Sequence, residues 1–383
     1  MSETVMIVTG ETSGELYGSL LATALKKKLQ DIRITGIGGE QMQAAGVELI
    51  SGITGSFGLV EAISSLRKIR ETFRQAVEAL RKDRPAVLVL IDYPDFNLKL
   101  AAEAKKENIR ILYYVSPQVW AWRKKRIKKI ARLVDKMAVL LPFEEKLYKD
   151  SGLDCEFVGH PVFDEIEAIS KDRKALRKEL GLKEDLPVLS MLPGSRTHEL
   201  DRLLPVITEI VASFRKDQYQ FCVPLAPNTD IRRYGRQLEE LRAEGVVINK
   251  GKSLRSLAAS DIAVIASGTA TLQSVLLGVP TVVIYKLSPL TYFLGKLILN
   301  VKHISLVNIL SGKGVVREFI QDQASARNVA DEIRKITTDD SYRQEMLRAF
   351  DKVREMFAGK KASERVADIV IEMAIKTKKV TSL

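Results

Sequence analysis

The chain alternates short apolar runs with longer segments whose apolar residues recur at the spacing of a helix. In the N-terminal part the runs are Val5 to Val8, Ile32 to Ile37, Ala86 to Ile91 and Ile109 to Val115. Between them the spacing predicts helices from about Ser13 to Leu29, Thr72 to Arg81 and Asn97 to Lys106. Unbroken apolar strands of this length, each followed by a helix, belong to a parallel sheet covered on both faces. The pattern then restarts. Pro187 to Leu192, Gln220 to Pro224, Val246 to Ile248, Ile262 to Ile265 and Thr281 to Tyr285 read as strands. Helices are expected from about His198 to Phe214, Asp230 to Glu244, Leu254 to Ala259 and Thr269 to Leu277. The predicted class is therefore α/β, with two Rossmann-like, doubly wound domains.

At Gly159-His160-Pro161-Val162 a proline stops an apolar strand, and the composition turns polar into a charged helix from Lys171 to Leu180. The boundary belongs there, with one domain over residues 1–163 and the other over 164–340. Residues 341–383 read as a helical tail, with Met346, Phe350, Val353 and Phe357 at helical spacing. This tail is expected to pack back on the N-terminal domain or on the partner subunit of a homodimer.

Composition narrows the setting. A length of 383 residues suits two domains, and 46% hydrophobic with 28% charged residues is a globular balance. The nearest approach to a membrane span, Leu294 to Val301, is broken by Gly295, Lys296 and Asn300, so membrane contact is expected to be superficial. The start MSETVMIVTG lacks the basic region and long apolar run of a secretory signal, which points to the cytoplasm. Cys155 and Cys222, the only two cysteines, fit inert thiols in a reducing compartment. Sixty Lys and Arg against 48 Asp and Glu give a net charge of +12. That field attracts polyanions, anionic lipid or phosphorylated substrates without choosing among them.

Candidate chemistry gathers where strands end. In doubly wound sheets ligands lie beyond the carboxyl ends of the strands. The first run leads into Thr9-Gly10-Glu11-Thr12-Ser13-Gly14-Glu15, which matches neither the dinucleotide glycine spacing nor the P-loop. Ser13 reads equally as a ligand contact or a helix N-cap. Ala86 to Ile91 ends in Asp92-Tyr93-Pro94-Asp95-Phe96-Asn97, offering two carboxylates as a general base or, alternatively, as a helix cap. Pro193-Gly194-Ser195-Arg196-Thr197-His198-Glu199 combines a glycine, a helix start and an arginine fork, which suits phosphate; a surface arginine in a capping loop is the plainer account. Ser267-Gly268-Thr269-Ala270-Thr271 is a second small-residue loop at a helix start. Two such loops in one domain point to a nucleotide diphosphate.

Other features exclude or qualify. His160, His198 and His303 stand far apart with no ligand cluster, so no metal and no other cofactor is expected. The Gly-x-Ser-x-Gly elbow is absent. Phe57, Leu59, Val60, Ile63 and Leu66, with Arg67, Lys68 and Arg70 behind them, suit contact with anionic lipid, and core packing accounts for them equally well. Trp120-Ala121-Trp122 followed by Arg123, Lys124, Lys125, Arg126, Lys128 and Lys129 suits nucleic acid or an interfacial anchor.

Taken in order, several blocks resemble the lipid A disaccharide synthase family. They are Gly10-Glu11-Thr12-Ser13-Gly14, Gly36-Ile37-Gly38-Gly39, Asp92-Tyr93-Pro94-Asp95-Phe96-Asn97, the stretch from Tyr114 to Trp122, and Phe157-Val158-Gly159-His160-Pro161. Leu192-Pro193-Gly194-Ser195-Arg196, Ser267-Gly268-Thr269-Ala270-Thr271 and Val307-Asn308-Ile309-Leu310 continue the agreement. The resemblance implies the GT-B architecture, an acceptor domain and a nucleotide domain facing a central cleft. It also implies metal-independent, inverting transfer from UDP-2,3-diacylglucosamine to the 6-hydroxyl of 2,3-diacylglucosamine 1-phosphate. Carried onto this chain, it makes Asp95, or else Asp92, the acceptor base, with Glu11, Ser13 and Gly14 orienting the acceptor or sugar. Gly194, Ser195 and Arg196 with Ser267, Gly268, Thr269, Ala270 and Thr271 would hold the UDP diphosphate. Asn308 and Gln273 would sit near the donor. Glu15, Gln273 and Val307 depart from the family's usual Asp, Glu and Pro, which bears on donor affinity and acyl preference. Fatty substrates imply a peripheral enzyme on the cytoplasmic face of the inner membrane, without nucleic acid as a partner. Another UDP-sugar enzyme of the same fold, or a basic nucleic-acid-binding protein, are the competing readings.

Overall fold

A computed structural model describes residues 4–52, 62–122, 126–167, 169–170, 172–215, 217–288, 292 and 302–381. The chain forms two compact units, Met1–Asp164 with Gly359–Leu383, and Glu165–Ala358. Each is a parallel sheet with helices packed on it.

The first unit holds β1 (Thr4–Val8), β2 (Arg33–Gly38), β3 (Glu48–Gly52), β4 (Val87–Ile91), β5 (Arg110–Tyr114), β6 (Lys136–Val139) and β7 (Cys155–Phe157). They lie in the order β3-β2-β1-β4-β5-β6-β7, and all their pairings are parallel. Every residue of β4 is fully buried, which is why its sequence is an unbroken apolar run rather than an alternating one. The sequence pattern missed β3 and β6, and showed β7 only as the apolar stretch ahead of Gly159. β3 is mostly half-exposed at the sheet edge, and β6 and β7 are too short to show a period. The helix expected from Thr72 begins ten residues earlier, at Ala62.

The second unit holds β8 (Val188–Leu192), β9 (Gln220–Leu225), β10 (Val247–Lys250), β11 (Ile262–Ala266), β12 (Thr281–Tyr285) and β13 (Glu318–Ile320). Their order is β10-β9-β8-β11-β12-β13, again with parallel pairings throughout. In both sheets the chain winds outward from a central strand in one direction, then returns and winds in the other. The reversal lies between β1 and β4 in the first unit and between β8 and β11 in the second. At such a switch point the two following helices go to opposite faces and leave a crevice open at the strand ends.

The tail divides instead of packing as the single segment 341–383. The helix Asp340–Glu355 stays with the second unit, against the helices Thr269–Leu277 and Ala326–Thr338. Gly359 turns with φ +71°, and the helix Ala362–Thr381 joins the first unit. There Ala362, Val366, Ile369, Val370 and Met373 form one apolar stripe buried against the helix Thr12–Lys28 and the sheet. Arg365 fixes its register by a two-bonded pair with Glu156, at 2.5 and 2.8 Å. The last helix thus completes the core of the unit that the first strand begins.

Close strand packing is enforced at Gly36 in β2. A methyl group there would lie 1.9 Å from the backbone oxygen of Ile7 on β1. Gly36→Ala is expected to cost about 3 kcal/mol, measured as a lowered denaturant midpoint; an unchanged midpoint contradicts this packing.

Candidate active site

In the first unit the loops after β1 and β4 flank the switch point and lock together. Asp92 and Tyr93 both take left-handed backbone angles, each with φ +46°, which non-glycine residues adopt only under constraint. The constraint is visible. Buried Asn97 donates from Nδ2 to the carbonyl oxygens of Ile91 and Asp92, at 3.2 and 2.8 Å, and the Tyr113 hydroxyl donates to Asp92 O at 2.6 Å. The turn throws the Tyr93 ring over Gly10, where an added Cβ would come within 2.4 Å of it, and stacks the ring on Phe96. Only glycine fits at position 10. The helix Pro94–Lys106 then starts directly, with Asp95 in its first turn and no side-chain cap. Neither Asp95 nor Asn97 serves as the N-cap, which is Tyr93. Similarly, the helix Thr12–Lys28 starts one residue before Ser13, with Glu11 at the cap position. Glu11 and Ser13 are exposed and Gly14 is buried.

Asp95 is the more open carboxylate. Its side chain is 79% exposed and meets Arg126 Nη2 at 2.5 Å. Asp92 is half-buried.

The loop after β5 is tied to a carboxylate that sequence reading did not single out. Val115 takes φ +66°, unusual for a β-branched residue, and delivers Ser116 and Trp120 to Glu144. Glu144 is buried and accepts from Ser116 Oγ at 2.6 Å, Trp120 Nε1 at 3.2 Å and Leu141 N at 3.2 Å. Burial pushes its carboxyl up to about 7, only partly opposed by these donors. Trp120 therefore has its indole N–H engaged inward, unlike a stacking platform. Arg123, Lys124 and Lys125 lie outside the described residues, as do Phe57, Leu59 and Val60. Ile63 and Leu66 fall on the helix Ala62–Asp83, with side chains outside the description.

In the second unit the loops after β8 and β11 stand on adjacent strands. The first is already filled. Glu199, buried, accepts from the backbone of Ser195 and Arg196 at 2.9 and 3.1 Å, so the anion at this helix start is the protein's own. Gly194, with φ +98°, is needed because a Cβ would strike the Glu199 carboxylate. Gly194 and Ser195 thus shape the loop, and the group this loop offers a ligand is the Arg196 guanidinium, 51% exposed and 3.6 Å from Glu199. The second loop is open. The helix Thr269–Leu277 has Gly268 at its N-cap, no side-chain cap, and nothing within 4 Å of where a Cβ on Gly268 would lie. An uncapped helix start and an arginine on the loops of neighbouring strands are the kinds of group a diphosphate needs. Around it, Ser267 Oγ donates to Ile304 O, and Thr271 Oγ1 to Gly268 O. Thr269 and Ala270 are half-buried.

Asn308 is buried, and both ends of its amide are engaged. Nδ2 donates to Val316 O and Glu318 Oε1, and Oδ1 accepts from Val315 N and Val316 N. These bonds hold the 305–316 loop together. Gln273 donates to Glu165 at 3.0 Å, and burial raises the Glu165 carboxyl. His160 is a packed histidine. It accepts from Val162 N, lies edge-on to Tyr17, and burial lowers it to about 3. Both cysteines are buried with raised thiols, Cys155 to about 12. Among the described residues, no His, Cys, Asp and Glu group is placed to hold a metal, and no helix is long and apolar enough to cross a membrane.

Glu144 was not singled out from sequence, Glu199 was read only as the end of the loop after β8, and Arg126 only as part of the basic run after Trp122. Glu144 and Glu199 each stand at the third position of a helix, where an acid can reach back to the free amides, but Leu141 and Arg196 precede them in place of the Ser or Thr that marks a capping box.

Two parallel-sheet units of this topology are shared with solved glycosyl-handling proteins. The S. aureus MnaA-UDP co-structure superposes with TM-score 0.66 at 10% identity, covering 95% of this chain and 94% of that one. CalG4, the calicheamicin glycosyltransferase, gives 0.62 at 14%, covering 98% and 99%. The architecture is that of a GT-B glycosyltransferase. The sequence model of the lipid-A-disaccharide synthetase family matches residues 5–370. The lipid-A-disaccharide synthase of Syntrophus aciditrophicus is 41% identical over 380 residues, covering 98% of this chain and 99% of the relative. That of Geobacter metallireducens is 41% identical over 374 residues, covering 96% and 97%. The chain belongs to the lipid-A-disaccharide synthetase family and is a glycosyltransferase of lipid A biosynthesis.

Glu144 binds its proton more tightly when folded than its usual value of 4.5. The native state therefore retains a proton that the unfolded chain releases between pH 4.5 and about 7, so stability is full below that window and falls as pH rises through it. Glu144→Gln removes this fall. Relative to wild type, the variant is expected to gain on the order of 3 kcal/mol between pH 4 and 8, measured by urea denaturation. A difference that does not change with pH contradicts it.

Proposed function

We propose that this enzyme transfers the sugar of UDP-2,3-diacylglucosamine to the 6-hydroxyl of 2,3-diacylglucosamine 1-phosphate. The products are the β-1,6 disaccharide 1-phosphate and UDP. The observation that carries the reading is the pairing of switch-point contents: an exposed carboxylate beyond β4, and, on the loops after the adjacent strands β8 and β11, a half-exposed arginine and an uncapped helix start.

Asp95 accepts the proton of the 6-hydroxyl as its oxygen attacks C1 of the donor sugar. The bond from C1 to the diphosphate oxygen breaks on the opposite face, which inverts the anomeric centre. Asp92, with its backbone pinned by Asn97 and Tyr113, shapes the turn that carries Asp95. Glu11 and Ser13, exposed beyond β1, orient the sugars. The leaving UDP gains negative charge, and Arg196 with the amides opening the helix Thr269–Leu277 meets that charge without a metal or other cofactor. Preorganised donors of this kind need not reorient as the charge develops, which is where their rate advantage lies.

The enzyme works as a peripheral protein on the cytoplasmic face of the inner membrane. Both substrates carry fatty chains, and the net charge of +12 together with Phe57, Leu59, Val60, Ile63 and Leu66 suits anionic lipid.

Purified protein incubated with both substrates is expected to release UDP and form the disaccharide. Asp95→Asn should lower kcat by about two to four orders of magnitude, and Arg196→Ala by about two to three. A rate near wild type in either variant removes that residue from its role; no disaccharide from wild type removes the reaction. Separately, vesicles containing anionic lipid should sediment the protein at low salt and release it at high salt. Protein left in the supernatant at low salt rejects the membrane assignment.

A further inference from the structure

The pair formed by Asp95 and Arg126 is uneven. Exposed ion pairs ordinarily have both members in solvent and contribute little. Here Arg126 keeps only 20% of its side chain exposed, against 79% for Asp95. The cation is the sheltered member. Arg126 opens the helix Arg126–Leu133 in the connection that follows β5, and Asp95 lies in the first turn of the helix that follows β4. The two strands are adjacent and parallel, and the two helices pack together, so both groups stand at the same edge of the sheet. Among the described residues, the one hydrogen bond of the Arg126 guanidinium goes to Asp95 Oδ1. A guanidinium has five N–H donors in a planar fork and keeps its charge at any working pH.

A carboxylate that must take a proton from an alcohol needs an oxygen turned to that alcohol. An arginine on one of its oxygens orients it and competes for it. An arginine whose other donors have no hydrogen-bond partner among the described residues, beside a base whose substrate carries a phosphate monoester, has a second anion to serve. Oxygens 1 and 6 of a hexopyranose flank the ring oxygen of the same sugar, so a side chain next to the base at O6 is within reach of a phosphate on O1. Lys128, Lys129 and Arg132 on the same helix add positive potential on this side of the unit.

We propose that Arg126 is the anchor for the acceptor's phosphate. Without acceptor one of its N–H groups holds Asp95; with acceptor the guanidinium turns to the 1-phosphate, and Asp95 takes the 6-hydroxyl. Arg126 thereby makes the phosphate a condition of efficient transfer. The inference rests on the reading of Asp95 as acceptor base given above, and it adds a specificity-determining contact that this reading does not require.

The test measures transfer by the whole enzyme to two acceptors, diacylglucosamine 1-phosphate and the same diacylglucosamine without phosphate. The quantity compared is the ratio of the two kcat/KM values. In Arg126→Ala the preference for the phosphorylated acceptor should fall about ten- to a hundredfold, chiefly through KM, as expected for one charge-assisted bond. Arg126→Lys, which keeps the charge and loses the fork, should show a smaller fall in the same direction. If Arg126→Ala does not fold, the fall in Arg126→Lys decides. An unchanged ratio, with activity on both acceptors reduced alike, overturns the inference and leaves Arg126 as a positioning residue for Asp95. Wild-type enzyme that transfers to neither acceptor overturns the underlying reading of the reaction, and the inference with it.

Discussion

A parallel sheet forces every following helix to present its N–H-bearing end at the same edge, and the rest of this structure answers to that concentration of positive dipole ends. Four of them are met by the protein's own sheltered carboxylates. Glu15 accepts from Gln41 N at the start of the helix Glu40–Ala44, and Glu144 from Leu141 N ahead of Pro142–Lys149. Glu199 closes the start of Thr197–Ala212, and Glu318 accepts from Ile304 N and Ser305 N ahead of Leu306–Ser311. A buried carboxylate is tolerable only with such donors around it. The helices Gly235–Ala243, Ser253–Ala258 and Thr269–Leu277 start without a side-chain cap, and of these the last follows β11, the strand next to β8 at the switch point.

The same edge carries backbone strain. Asp92, Tyr93 and Val115 hold left-handed angles at the ends of β4 and β5. Each costs on the order of 1–3 kcal/mol, and each is held by buried partners: Asn97 and Tyr113 for the first turn, and the Ser116 to Glu144 bond beside the second. Strain sustained in this way fixes where Asp95 and Trp120 stand. A carboxylate on a helix behind a pinned turn has less freedom to drift, and misplacement of a reacting group by an ångström costs orders of magnitude in rate.

The two units offer groups of opposite kinds. The first carries an exposed acid held by an arginine, and the second an arginine and an uncapped helix start on the loops after adjacent strands. Developing charge on a departing diphosphate needs cations and amides, while an attacking alcohol needs an acceptor for its proton. Gln273 is neutral and donates to Glu165, which brings a carboxylate of another helix beside it.

The order of strands and helices was legible in the sequence because a strand buried on both faces must be apolar throughout, as in β4, and a half-buried helix must show its period. The loops Gly10 to Gly14, Asp92 to Asn97, Gly194 to Arg196 and Ser267 to Thr271 were also legible, since any loop after a parallel strand falls at the ligand edge. Other features were decided by tertiary structure. Short or exposed strands such as β3 and β7 are strands only because a neighbour pairs with them. The division of the tail at Gly359 depends on which core the Ala362–Thr381 stripe completes. Whether a loop amide is open to a ligand or closed by Glu199, whether Asn308 faces a substrate or braces its own loop, and that Arg126 meets Asp95 are matters of contact between residues distant in the chain or of side-chain direction. Local sequence sets what each residue can do; only packing sets which partner it has.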